Sequence, residues 1–132
     1  SQKEAITKIV TRMDEEGVVS NAAKFLEAVF ERESLGSTAI GNGIALPHAR
    51  TQHIDAITIA VVRLREGIDF GAADDQPVRL LFLLGTPLKA VSEYLSVLAK
   101  LSKILKDDKT RAKIFKAPTA DAVRSIFEHA EG

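Results

Sequence analysis

The sequence predicts an α/β domain: a mixed β-sheet flanked by helices on both faces. Three observations predict it. Amphipathic repeats at helical spacing open and close the chain, and two β-branched, apolar runs at residues 56–64 and 78–84 lie between them. The joint between residues 64 and 78 is too short to hold a helical crossover, so the sheet cannot be all parallel.

Each element has its own local reason. Ile6, Ile9, Val10 and Met13 follow i, i+3, i+4, i+7 spacing and make residues 3–16 a helix, with Gly17 as its left-handed cap. Ser20 or Asn21 caps a second helix whose inner face is Ala22, Phe25, Leu26, Val29 and Phe30. Residues 36–43 are turn-rich and carry no periodicity. Ile44, Ala45 and Leu46 read as a short buried strand. Residues 56–64 read as a strand mostly covered on both faces. Gly67, Gly71, Asp74, Asp75 and Pro77 punctuate a loop, and Val78 to Leu84 is a buried strand stopped by Gly85 and Pro87. The longest helix starts near Pro87 or Leu88, with Leu88, Val91, Leu95, Leu98, Leu101 and Leu105 on one core-facing stripe. A short helix over 109–116 and a last one over 119–129, capped by Thr119 after the Pro118 break, complete the chain.

Composition excludes several function classes. The 132 residues fit one domain, and 18 basic against 18 acidic residues leave a formal net charge of zero, so no net field draws the chain to nucleic acid or a membrane surface. With no cysteine, a disulfide scaffold, a thiolate metal site and a thiol nucleophile are all excluded. No apolar run approaches the ~20 residues of a spanning helix, and no signal-peptide pattern opens the chain. The expectation is a cytoplasmic domain without membrane insertion.

The most informative segment is Gly41-Asn42-Gly43-Ile44-Ala45-Leu46-Pro47-His48-Ala49-Arg50. Two glycines allow a sharp turn. Pro47 fixes φ and removes a donor, and it drives Leu46 toward an extended conformation, so His48 projects from the end of a rigid segment. A neutral imidazole is a nucleophile near pH 7, because its ordinary pKa is about 6.5. It attacks a phosphoryl group without the extra base a serine requires. Backbone N–H groups of Gly41, Asn42 and Gly43 form a candidate anion nest. Arg32 and Arg50 offer guanidinium forks, and Thr38 or Ser37 a hydroxyl donor. The segment is not a dinucleotide fingerprint, since Leu46 stands where the third glycine belongs, and no Gly-Lys-Ser/Thr loop is present.

This segment resembles the signature of the fructose/mannitol/nitrogen-regulatory (type 2) enzyme IIA domains of the phosphotransferase system. Phe30-Glu31-Arg32-Glu33 with Ser37-Thr38 resembles the family's helix end and Ser-Thr loop. Gly67-Ile68-Asp69-Phe70 and Pro77 to Leu84 resemble its later loop and strand. The resemblance covers residues 4–128 and implies the family's mixed-sheet fold. It implies that His48 accepts a phosphoryl group from the histidine phosphocarrier HPr or its nitrogen-branch counterpart, with Arg32 and Thr38 as partners and no cofactor. The acceptor is then a sugar-permease IIB domain, or else phosphorylation of the domain controls a partner protein or fused transporter. Family members usually begin with a further strand, so a single domain excised from a longer protein is expected. Many carry a second histidine in a His-Leu pair on the long helix, where this chain has Tyr94-Leu95. The Tyr94 hydroxyl reads either as a hydrogen-bond partner of the ring or phosphoryl group, or as the rim of a core aromatic.

Other candidates read more plainly. Arg50 either binds phosphate or points outward. His53 reads as a loop histidine, with no further ligands nearby for a metal pair, and His129 as a favourable helix-end charge. Asp69, Asp74 and Asp75 lack calcium-loop spacing and read as a polar turn. The leucine stripe is too short for sustained heptads.

Overall fold

The computed structural model describes residues 1–117, with elements α1 (Gln2–Glu15), α2 (Ala22–Leu35), β1 (Ala39–Gly41), β2 (Ile44–Ala45), β3 (His48–Thr51), β4 (Thr58–Ile68), β5 (Val78–Pro87), α3 (Val91–Lys106) and α4 (Asp108–Lys116). The helix expected over 119–129, with Thr119 and His129, lies outside the described residues. The chain divides into two compact units, residues 1–91 and the remainder.

The first unit is built on a five-stranded mixed sheet. Central β5 pairs antiparallel with β4 on one side and parallel with both β2 and β3 on the other. Because β2 and β3 lie along the same edge of β5, residues 44–51 form one extended run interrupted at Leu46-Pro47. Pro47 has no N–H for a ladder, but its carbonyl accepts from Leu84 N at 2.9 Å, which keeps the run in place. Short β1 pairs antiparallel with β2 across the Gly41–Gly43 turn. The turn-rich stretch therefore contains a strand that its lack of periodicity hid.

One sheet face is closed by α1 and α2. Ser1 caps α1 by accepting from Glu4 N, and Gly17 leaves it at φ +76°. Asn21, not Ser20, caps α2, accepting from Lys24 N at 3.1 Å. Ile6, Ile9, Val10, Met13, Phe25 and Val29 are buried against Ala45, Ala49, Leu81 and Leu83. Ser20 N donates to His53 O at 2.8 Å, tying the inter-helix turn to the segment after β3. The His53 ring is half-buried there, with Nδ1 at 3.3 Å from Ser20 Oγ.

Three further expectations differ from the structure. The β4 strand is not covered on both faces: Ile59 and Val61 are each 40% exposed, while Ala60, Val62 and Leu64 pack on the core. It is an edge strand, and its β-branched residues follow from strand geometry on both faces while burial applies to one. Second, β5 is not stopped by Gly85 but runs through Thr86 to Pro87, paired with Ala49, Arg50 and Thr51. Gly85 is there for space. A Cβ on it would lie 2.4 Å from Ile54 Cδ1 and 2.9 Å from Phe25 Cζ. Third, α3 begins at Val91, the last residue of the first unit, rather than near Pro87; Leu101 and Leu105 are buried, whereas Val91 and Leu95 are exposed. In the second unit Asp107 caps α4, and Arg111 ties the helices by donating to Leu105 O at 2.9 Å.

Candidate functional site

His48 opens β3, directly after the proline. Strand alternation buries Ala49 and Thr51 on the helix-covered side and turns His48 and Arg50 to the other. The imidazole is half-buried, and its Nδ1 lies 2.7 Å from Leu46 O. A carbonyl only accepts, so Nδ1 carries the hydrogen and Nε2 carries the lone pair. This contact is a local product of the motif: Pro47 holds Leu46 extended, and the carbonyl two residues back then meets the ring.

Two charges from the end of α2 act on that ring. Burial is the main effect, lowering the His48 pKa below the ordinary histidine value; the bond to Leu46 raises it, the Arg32 charge lowers it and the Glu33 charge raises it. The net direction is downward, so the ring is neutral and nucleophilic at pH 7. Arg32 is half-buried and donates Nη1–H to Gly36 O at 2.8 Å. That bond holds the guanidinium over the helix end and leaves the rest of its donor fork for another acceptor.

Thr38 is buried and reaches the site differently from the expectation. Its hydroxyl donates to the Glu33 carboxylate, and its N–H to Glu33 Oε2 at 3.4 Å. Ser37 donates its hydroxyl to Phe70 O at 2.5 Å. Both hydroxyls donate within the chain, so neither hydrogen is directed at a phosphoryl group as residue type and, for Thr38, the family resemblance implied. What Thr38 offers is its carbonyl, which accepts from Leu46 N at 3.0 Å.

Gly41, Asn42 and Gly43 are not brought to His48. Opposite β5, Ile44 stands at Leu80 and His48 at Leu84. Four residues of extended chain put the turn about 13 Å from the histidine. The middle N–H of the nest is also engaged: Asn42, at φ +57°, donates it to Asp74 Oδ2 at 2.9 Å. That bond and a second from Gln76 N lower the Asp74 pKa. Asp69 accepts from Gly71 N at 2.8 Å, so the acidic loop is a set of turn caps. Among the described residues no group of three or more His, Cys, Asp or Glu side chains is placed to hold a metal ion.

Arg50 follows His48 on the same strand face, roughly 7 Å along the backbone, and is exposed. Tyr94 lies in the first turn of α3, half-buried, within the second unit. Glu33 entered the sequence reading as part of the helix end that carries the family resemblance, and not as a site residue. Nothing in its spacing separates it from a solvated helix-end acid. The signal was its place beside Arg32 and ahead of Ser37-Thr38.

Comparison with known proteins identifies the family. The family model for "Phosphoenolpyruvate-dependent sugar phosphotransferase system, EIIA 2" matches residues 1–130. The fructose-specific EIIA component of Haloferax volcanii is 36% identical over 84% of this chain and 72% of that protein. The fructose-specific EIIABC component of Bacillus subtilis is 34% identical over 96% of this chain, which spans only 20% of it. Among solved structures, nitrogen regulatory protein IIA-Ntr from Neisseria meningitidis superposes with a TM-score of 0.90 at 35% identity, covering 96% of this chain and 86% of that one. No helix among the described residues is long and apolar enough to cross a membrane. A match along almost the whole sequence, a shared fold and a half-buried histidine behind the Ile-Ala-Leu-Pro run converge: the chain belongs to the EIIA 2 family of the phosphoenolpyruvate-dependent sugar phosphotransferase system.

Proposed function

We propose that the protein is a cytoplasmic phosphohistidine carrier that accepts a phosphoryl group on His48 Nε2 and passes it on. The observation that carries this reading is the Nδ1–H···O=C bond to Leu46, which leaves the lone pair on Nε2. The donor class is a phosphorylated histidine carrier, HPr or its nitrogen-branch counterpart. The Nε2 lone pair attacks phosphorus, the new N–P bond forms as the donor's N–P bond breaks, and that electron pair returns to the donor imidazole. Nδ1–H stays on the Leu46 carbonyl, so the ring is positive until that proton leaves. Arg32 supplies charge to the phosphoryl oxygens, and Arg50 adds a second cation on the same strand face. Phosphoryl transfer asks for this positioning and neutralisation more than for covalent help. The onward acceptor is a sugar-permease IIB domain.

Incubation with phosphoenolpyruvate, enzyme I and each carrier is expected to add one acid-labile, base-stable phosphoryl group, absent in His48→Ala. Failure with every cognate carrier overturns the proposal. The likeness to IIA-Ntr over 96% of the chain favours a second reading, in which the phosphorylation state of the domain controls a partner protein. Transfer from the phosphorylated protein to IIB domains distinguishes them. Rapid discharge to a IIB domain supports transport, and a stable phosphoprotein with altered partner affinity supports regulation.

A further inference from the structure

The hydrogen bonds of Glu33 run in a line toward the ring of His48. The carboxylate is half-buried and receives Thr38 Oγ1–H, Thr38 N–H at 3.4 Å and Gln2 Nε2–H at 3.3 Å. Thr38 in turn accepts from Leu46 N at 3.0 Å, and Leu46 O receives His48 Nδ1–H at 2.7 Å. The Thr38–Leu46 bond lies at the open end of the β1–β2 pairing, beyond the Ala39–Ala45 pair, where no turn secures it. Among the described residues, the anchor from α2 is Glu33, which receives both the Thr38 hydroxyl and its N–H. We propose that Glu33 is a positioning residue for the phosphoryl acceptor: by clamping Thr38 it holds the Leu46 carbonyl that pins the His48 ring as its Nδ1–H tautomer.

The tautomer matters because the two ring nitrogens are distinct, and the bond made by one decides the chemistry of the other. If the ring turned or the carbonyl drifted, the hydrogen would move to Nε2 and remove the nucleophile. Charge supports the same role. Among the described residues, the charges that act on the ring include Arg32 and Glu33 from α2, and Arg50 follows on its own strand. As Nε2 takes the phosphoryl group, negative charge arrives at Arg32 while the imidazole becomes positive. Glu33, whose charge favours the protonated ring, answers the second change as Arg32 answers the first. The adjacent Arg-Glu pair thus divides two opposite demands between neighbouring side chains.

The consequence for rate rests on the phosphohistidine reading, but the tautomer does not, and the experiment separates them. Long-range ¹H–¹⁵N correlation of the His48 ring at pH 8 is recorded for the wild type, Glu33→Gln, Glu33→Ala and the exposed control Glu31→Gln. The wild type and the control are expected to show the Nδ1–H form. Glu33→Ala is expected to shift the population toward Nε2–H, with Glu33→Gln between, and both to titrate at lower pH because a carboxylate charge is gone. Phosphorylation rates from a carrier should fall about tenfold, the usual scale for losing a partner that orients a functional histidine. An unchanged ring tautomer and titration in folded Glu33→Gln overturns the proposal, whatever Glu33→Ala does. If the wild type accepts no phosphoryl group while the tautomer shifts as expected, the carrier reading falls and the positioning role stands.

Discussion

At the residue scale, the site is a balance between a ring kept neutral by burial and two opposite charges that adjust it. The pKa of His48 is lowered mainly because the half-buried ring loses solvent when charged. The sign of the consequence follows. In the unfolded chain the ring protonates near pH 6.5. In the folded chain it resists protonation to lower pH, so its contribution to stability is present above pH 6.5 and is lost as pH falls through the folded value. His48→Gln is therefore expected to lose less stability between pH 7 and pH 5 than the wild type, measured by urea unfolding at both pH values. A larger loss in the variant would contradict the assignment. The rate of phosphoryl acceptance should fall on the acid side with its midpoint below pH 6.5. The placement of His48 was legible from a motif of unusual order, and that of Arg32 beside it from the resemblance of the helix end to the family. Glu33 and the engaged hydroxyl of Thr38 were not. Their roles depend on bonds between segments that only the fold brings together, such as Gln2 with Glu33.

At the scale of elements, the same motif taught a different lesson. Gly41–Gly43 looked like part of the site because it lies so near His48 in sequence. An extended strand turns that nearness into distance, and the parallel register against β5 carries the turn away from the ring. Conversely, Gly85 looked like a strand end and is a packing requirement. Its missing Cβ lets Phe25 of α2 and Ile54 approach the centre of β5. Gly85→Ala keeps the strand conformation and overpacks this contact, an effect on the order of 1–3 kcal/mol. A melting temperature lower by about 5 °C is the expected result in calorimetry. An unchanged one would mean that Ile54 and Phe25 can give way without loss. Asn21→Ala tests the N-terminus of the same helix. Loss of the α2 N-cap should destabilise by about 1 kcal/mol. It should leave His48 phosphorylation unchanged, because the cap and the Arg32–Glu33 pair stand at opposite ends of α2.

At the scale of the whole molecule, the mixed sheet was legible from the pattern of elements and from one loop too short for a crossover. The exposed face of β4 was not. Alternating β-branched residues fit an edge strand as well as a central one, and position in a sheet is a property of all its strands together. Net charge acts at this scale too. Equal numbers of acidic and basic residues put the sequence pI at about 6.8. A phosphoryl group brings a charge of about −1.5 to −2, so the modified molecule is net negative whether or not Nδ1 keeps its proton. Since the unmodified chain has no net field of its own, one phosphoryl group sets the sign of the field that a partner meets from afar. Isoelectric focusing after incubation with a phosphorylated carrier should show one acid-shifted band that reverts on mild acid treatment and never forms in His48→Ala. Association of the phosphorylated form with its acceptor should weaken with added salt more steeply than that of the unmodified form, because the added charge is exposed to screening. Equal salt dependence of the two forms would mean that the phosphoryl charge is neutralised within the site, with Arg32 and Arg50 already closed around it.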